Sequence, residues 1–412
     1  MARIGIDFGT SFSTVSWVNP QTGKPEPILI NGKEKIPTML YYPPEGGEPL
    51  VGDEAYAIYE QCRTTDNQEE IDEYLGGIRS DIKRSLSKTS KAGCLPNGKV
   101  LKYVDVVADF LHYLKCKAES ECFEGETVTD VCICVPVAHT EEKRDIMRKA
   151  AKKAGFSRVE LLKEPVAAAM GYSASTDYKG KSVLVYDFGG GTFDVAYIRF
   201  DSQGEPDIQL PPDGDGNCGG ENIDRLLYDL WDKQVKSVSG HSISGVDGIV
   251  DQAFIKTDCV HQKETFCRYF VKQNQYKAQC VINGKFYSLP VTKDEWNELI
   301  SPVIDKTINI TKRVVEKTKA EKLKIDKTIL IGGSSKIPLV AERLAEILPA
   351  PPVAVQKVDV AVANGAAIFI NQCGIPVRKC FCRRCGHELN SKIRFCPIDG
   401  VDNIRYDHRF DL

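Results

Sequence analysis

Residues 182–200 read SVLVYDFGGGTFDVAYIRF. An apolar run ends at Asp187, three glycines follow, and a second β-rich run begins at Thr192. This pattern predicts two strands joined by a hairpin whose tip carries almost no side chains. Gly189, Gly190 and Gly191 can adopt conformations in which successive backbone N–H groups converge on an anion. Asp187 at the strand mouth can hold a hydrated Mg²⁺, and Thr192 offers a hydroxyl to a terminal phosphate. Taken alone, the stretch also reads as a plain tight hairpin at a sheet edge.

The N-terminus supplies a second copy. It reads RIGIDFGTSFSTVSWV, and a shift of 180 positions lays Asp7 on Asp187, Phe8 on Phe188, Gly9 on Gly189 and Val15 on Val195. A strand–DFG–strand unit recurring half a chain apart reads as duplication of a whole lobe. Two facing phosphate hairpins, each with an aspartate, make a clamp around a nucleotide.

With 412 residues, 42% of them hydrophobic, the chain can bury a large core and is expected to split into two or three domains. Its formal net charge of −3 gives no global attraction to nucleic acid or anionic membrane. The start, MARIGIDFG, enters a strand directly without a signal-peptide h-region, and the longest apolar stretch, near 360–370, is too short to span a bilayer. Fifteen cysteines, mostly scattered, argue for reduced thiols and a cytoplasmic protein. Cys132 and Cys134 alternate on one strand face and read as core.

Strands and helices alternate along most of the chain, which is α/β material. A helix is expected from about Ser80 that carries Lys83 and Arg84, and another over 104–116. A strand ends at Pro136, a helix capped by Thr140 stops at Gly155, and Pro165 opens the helix EPVAAAMGYS. The second half repeats this logic: a helix near Gly220, long helical patterns to about Lys319, a hairpin at Asn283-Gly284, and the strand TILIGGSSKIPLV. The expected domains are residues 1–181, 182–373 and a basic, cysteine-rich module over 374–412.

Together these motifs resemble the nucleotide-binding domain of DnaK-type heat-shock chaperones, within the actin-like ATPase superfamily, over roughly residues 2–372. GIDFGTSFS and VYDFGGGTFDVA resemble the two phosphate loops, GDGNCGGENID the Gly-Gly-Glu stretch, VPVAHTEEKR and KEPVAAAMGY the interlobe connection, and IGGSSKIPLV the adenosine motif. The resemblance implies an α/β fold of two duplicated actin-like lobes around a nucleotide cleft. It implies that Gly9, Thr10, Ser11 and Phe12 wrap the phosphates of ATP with Gly189–Gly191 and Thr192. Asp7 and Asp187 would hold the water shell of Mg²⁺, Lys83 would reach the γ-phosphate and attacking water, and Glu164 would order the metal's waters. Pro136 and Arg144 would couple nucleotide to interlobe movement. Gly219, Gly220 and Glu221 would lie below the second loop. Gly332, Gly333, Ser334, Lys336 and Asp359, with Lys272 as a partial match, would form the nucleoside side. Phosphoryl transfer to water needs charge neutralisation and positioning more than covalent chemistry, so a lysine, a metal and backbone donors suffice. Read without the resemblance, Lys83 is an ordinary helix charge and Glu164 a helix-start acid.

The chain departs from the family at three places and in one expected absence. Lys336 stands where the chaperones stack an arginine on adenine, and a lysine stacks less well. The Glu-x-x-Lys-Arg pattern beside the base is not legible in ETFCRYFVKQNQYK. Glu160 replaces the arginine that meets J-domain partners, which argues against an ordinary J-domain partner. No β-rich peptide-binding domain is expected in the forty residues that follow the ATPase.

The tail, KCFCRRCGHELNSKIRFCPIDG, resembles a zinc ribbon. Cys382, Cys385 and Cys396 would be Zn²⁺ ligands, with Asp399, His387 or Cys380 as the fourth; so small a module needs metal to fold. The expected function is an ATP-hydrolysing switch acting on a protein partner through the tail or a lobe surface. The alternatives are an actin-like filament protein and a nucleotide-gated scaffold with little turnover.

Overall fold

In a computed structural model of the chain, Ser182–Phe188 and Phe193–Phe200 pair antiparallel, with Asp187 opposite Asp194. The structure describes residues 2–62, 67–80, 82–86, 91–95, 97–174, 178–202, 204, 206–243, 249–282, 285–354, 358–373, 380–381, 388–389, 396, 398 and 400. The hairpin is buried on both faces, which explains its near-continuous apolar sequence. Leu184, Tyr186 and Phe188 enter one core cluster, while Val183 and Val185 enter another.

Around this hairpin lies a sheet in which Ser182–Phe188 also pairs parallel with Lys327–Ile331, and that strand pairs parallel with Val353–Ala354. Pro206–Asp207 continues the antiparallel side. The first half builds the same order and strand sense. Ala2–Asp7 pairs antiparallel with Phe12–Val18 and parallel with Val128–Val135, which pairs parallel with Arg158–Lys163. Pro25–Pro27 takes the antiparallel edge. Registers also match: Asp7 faces Thr14 as Asp187 faces Asp194. The chain is a mixed α/β protein, consistent with the actin-like ATPase fold.

Parallel neighbours require long crossovers, here made by helices. Two of these helices meet across the molecule. Glu164–Ser173 and Val358–Gln372 pack backbone to backbone; a Cβ at Gly365 would stand 1.7 Å from the Ala167 carbonyl oxygen, and one at Gly171 1.9 Å from that of Ala361. Val358–Gln372 also lies on Ala2–Asp7 and Phe12–Val18, so the second half's last helix covers the first half's sheet.

Local expectations meet the structure unevenly. Thr140 caps Glu141–Lys153 by accepting from the Lys143 N–H, Gly155 follows at φ 95°, and Pro165 sits in the first turn of its helix. Cys132 and Cys134 are fully buried. The strands Gln275–Ile282 and Lys285–Thr292 pair, although residues 283–284 between them lie outside the described residues. The helix expected from Ser80 is corrected. A helix runs earlier, Gln68–Gly77, and ends at Gly76-Gly77; Ile78–Arg79 then pairs with Leu40–Tyr41, and among the described residues that follow, Ile82–Ser85 is the helical piece that carries Lys83. Among the described residues no helix is long and apolar enough to cross a membrane.

Candidate functional site

The two glycine-tipped turns face each other. A Cβ placed on Gly190 would stand 3.5 Å from Ser11 Oγ and 3.9 Å from Thr10 Cβ. Asp7, Gly9, Thr10, Ser11 and Phe12 line one wall of a cleft of about 650 Å³, with Phe12 half exposed at the surface. Asp187, Gly189, Gly190 and Thr192 line the other wall. That volume falls among those of small-molecule sites. Gly191 belongs to the same turn but does not line the cleft.

Lys83 and Glu164 lie at its base, nearly buried, with Nζ 2.6 Å from Oε1. Lys83 comes from the short helix Ile82–Ser85, and Glu164 opens the helix whose first turn also holds Pro165. Burial alone would lower the Lys83 pKa, but Glu164, Asp7 and Asp187 outweigh it and hold the ammonium above its ordinary range. Burial, with Glu164 and Asp7 adding repulsion, pushes the Asp187 carboxyl well up.

Asp194, which the sequence reading did not single out, faces Asp187 in the hairpin register but does not line the cleft. It is buried, and burial with Glu164 and Asp187 nearby raises its pKa well above the carboxylate range. One oxygen accepts the Val137 N–H at 2.9 Å; Oδ2 has no hydrogen-bond partner. The signal was present: the 180-position shift that matches Asp7 to Asp187 puts an acid at 194 where Thr14 stands.

Gly219, Gly220 and Glu221 brace the second turn from behind. The Gly220 and Glu221 N–H groups donate to the carbonyls of Gly189 and Gly190 at 3.0 and 2.8 Å, and no Cβ fits at Gly219. Gly332, Gly333, Ser334 and Lys336 line the cleft beyond, and Ser334 Oγ donates to the Gly189 carbonyl. Gly332 takes φ 80°, where a Cβ would meet the Phe188 carbonyl oxygen at 2.3 Å. Asp359 lies in Val358–Gln372, its side chain outside the described residues; Val362 of that helix reaches the cleft.

Lys272 is corrected. It is exposed in the turn after Ile249–Tyr269 and lines no part of the cleft. The helix instead presents Lys263, Glu264, Cys267 and Arg268. Their i, i+3, i+4 spacing was the available signal, and the helix ends before that phase reaches Lys272. Lys263 is tied to Asp224 at 2.8 Å.

Pro136 and Arg144 flank the start of Glu141–Lys153. The Pro136 carbonyl accepts the His139 N–H, and Arg144 is buried, donating to Glu141 and to the Ile398 carbonyl. Glu160 is ion-paired with Arg158 at 3.1 Å.

Among the described residues no three His, Cys, Asp or Glu side chains stand close enough to ligate one ion directly. The donor set around Asp7 and Asp187 nevertheless fits a hydrated dication: Asp7, Glu164 and Asp187 all stand close enough to act on one ammonium, that of Lys83. Of the predicted zinc ligands only the Cys396 side chain is described. Cys382, Cys385, His387 and Asp399 lie outside the described residues, as does the Cys380 side chain.

Comparison with known proteins gives a family match described as Hsp70 protein over residues 3–378. Curated relatives include Chaperone protein HscA of Escherichia coli O139:H28, 29% identical over 377 residues, covering 88% of this chain and 57% of the relative. Chaperone protein HscA homolog of Haemophilus influenzae is 28% identical over 390 residues, with 89% and 56% covered. That of Pseudoalteromonas atlantica is 27% identical, with 89% and 57% covered. The chain thus spans little more than half the length of these relatives.

Proposed function

The chain belongs to the Hsp70 family, and on that premise we propose that it binds and hydrolyses ATP as a slow molecular switch with chaperone-type output. The observation that carries this reading is the meeting of both glycine-tipped turns at one cleft, with Lys83 and Glu164 at its base. In this reading residues 1–181 and 182–373 are two lobes, the last helix of the second reaching back onto the first.

Backbone N–H groups of Gly9–Ser11 and of Gly189 and Gly190 cradle the β- and γ-phosphates, with Thr192 beside them. Asp7, Asp187 and Asp194 would hold a hydrated Mg²⁺, with Glu164 beside them, and the bound ion would supply neutralisation of phosphate charge. Lys83 positions the γ-phosphate and the attacking water, held to that task by Glu164. Gly332–Ser334, Lys336, Glu264 and Arg268 bound the nucleoside. Arg268 supplies a planar cation that Lys336 does not.

A protein partner is proposed, met through a lobe surface or the tail, in the cytoplasm. Glu160, already paired with Arg158, does not favour an ordinary J-domain partner. For the tail we retain structural zinc on Cys382, Cys385 and Cys396 with Asp399, His387 or Cys380. The Ile398 N–H donation to Cys396 Sγ at 3.4 Å supports it, because such bonds stabilise a turn-borne thiolate. Purified protein should carry about one zinc per chain, and metal analysis of Cys382→Ser should find it lost; a full zinc complement in that variant removes the assignment. Steady-state phosphate release from ATP tests the main reading. Release that depends on magnesium supports it, and its absence at every magnesium concentration contradicts it.

A further inference from the structure

We propose that His112 and Cys116 form a thiol–imidazole pair on the surface of the first half, a nucleophilic site for small disulfides that is separate from the nucleotide cleft. The two residues lie four apart on the helix Tyr103–Glu121, which puts their side chains on one face in adjacent turns. Cys116 Sγ stands 3.5 Å from His112 Nε2, within reach of a hydrogen bond to sulfur. Both residues are exposed, so a solute can reach them, and neither lines the cleft.

A third group fixes the roles of the two ring nitrogens. His112 Nδ1 lies 3.2 Å from the Ala154 carbonyl oxygen. A carbonyl only accepts, so Nδ1 carries the hydrogen and Nε2 of the neutral ring carries the lone pair. That carbonyl is on offer because Glu141–Lys153 ends there: the Gly155 and Phe156 N–H groups turn back to Lys152 and Ala151, and Ser157 donates to Thr129. The Cys116 thiol then donates to Nε2, the atom placed to take its proton. A nucleophile, a base and a group that orients the base are the parts that activate a thiol. Glu119, one turn on, does not compete for the imidazole, because it accepts from Lys115 Nζ at 2.6 Å and from the Val128 N–H at 2.8 Å. Among the described residues no third ligand makes the pair a metal site. The other cysteines differ. Burial holds Cys62, Cys122, Cys132, Cys134 and Cys267 as thiols by raising each above its ordinary range. Cys94 is exposed and has the Arg79 guanidinium nearby, but among the described residues no imidazole bonds its thiol.

In the step proposed, the thiol proton passes to Nε2 and Cys116 Sγ attacks one sulfur of a small disulfide. The new S–S bond forms as the old one breaks, and the departing thiolate takes the proton from Nε2. Cys116 is oxidised to a mixed disulfide and the other half of the reagent is reduced to a free thiol. The test treats the intact chain with oxidised glutathione at neutral pH and follows the adducts on Cys116 and Cys94 by peptide mass spectrometry of the same sample. Cys116 is expected to react at least about tenfold faster than Cys94, and His112→Gln to bring it within about threefold of Cys94, whose own rate is unchanged. Glutamine keeps a donor for the Ala154 carbonyl but cannot take the thiol proton, so a merely capping role for His112 would leave the rate unmoved. Should the variant fail to fold, the unmodified chain in urea replaces it, and the preference for Cys116 over Cys94 is expected to vanish there. A Cys116 rate that does not exceed that of Cys94 by the stated margin, or that persists in folded His112→Gln or in urea, overturns the proposal. None of these readouts involves ATP, so the ATPase reading stands or falls separately.

Discussion

Four carboxylates, of Asp7, Glu164, Asp187 and Asp194, act on a single ammonium, that of Lys83. Such a centre is destabilised by its own charge, which the dication of the proposed function would relieve. Asp187→Asn is therefore expected to raise the thermal midpoint at pH 8 in the absence of magnesium, while magnesium-dependent turnover falls about tenfold or more. A midpoint lowered by the substitution would argue that Asp187 is a structural acid. His139 behaves oppositely. Burial, with Lys83, Lys143 and Arg144 nearby, lowers its pKa well below the ordinary imidazole value. The unfolded chain then binds a proton below about pH 6.5 that the native state refuses, so stability is lost as pH falls below that point. His139→Gln should reduce the slope of unfolding free energy against pH in that acidic window by up to about 1.4 kcal/mol per pH unit. Denaturant melts at pH 7 and pH 5.5 measure it, and identical slopes would remove His139 from the account.

At the scale of elements, the seam between Glu164–Ser173 and Val358–Gln372 decides how the two halves are joined. Gly365 and Gly171 leave no room for a side chain against backbone atoms of the partner helix. Gly365→Val should cost about 3 kcal/mol or more in urea unfolding, and a loss under about 1 kcal/mol would mean the helices can part. The seam was not legible in the sequence, because alanine- and glycine-rich helices say nothing of their partners. The hairpins were legible, since DFG followed by glycine and a β-rich run carries its own turn chemistry. Lys83 and Glu164 were singled out through their neighbours, DIKR and KEPVAAA, and the structure pairs their side chains, even though the helix around Lys83 is shorter than its pattern suggests. Lys272 misled because a helix end at Tyr269 is hard to read in ETFCRYFVKQ, and a face cannot be followed past its helix. Asp194 hid as an acid inside an apolar strand.

At the scale of the molecule, two sheets of matching order present their hairpin turns to one cleft, and buried contacts join the halves behind it. In the proposed function the halves close on nucleotide and reopen after hydrolysis by hinge motion. A protein working this way stays the same size in ATP, so its sedimentation coefficient should shift only slightly; pelleting with ATP would favour filament assembly instead. In the proposed function both turns grip one triphosphate, with Lys83 directed at its terminal phosphate. Single-turnover hydrolysis of Mg·ATP by the unmodified chain and by Lys83→Ala, with ATP affinity measured by calorimetry on both, tests it most directly. Hydrolysis is expected to slow about a hundredfold or more in the variant, with affinity kept within about tenfold. Equal rates in the two proteins, or no ATP binding by the unmodified chain, would contradict it.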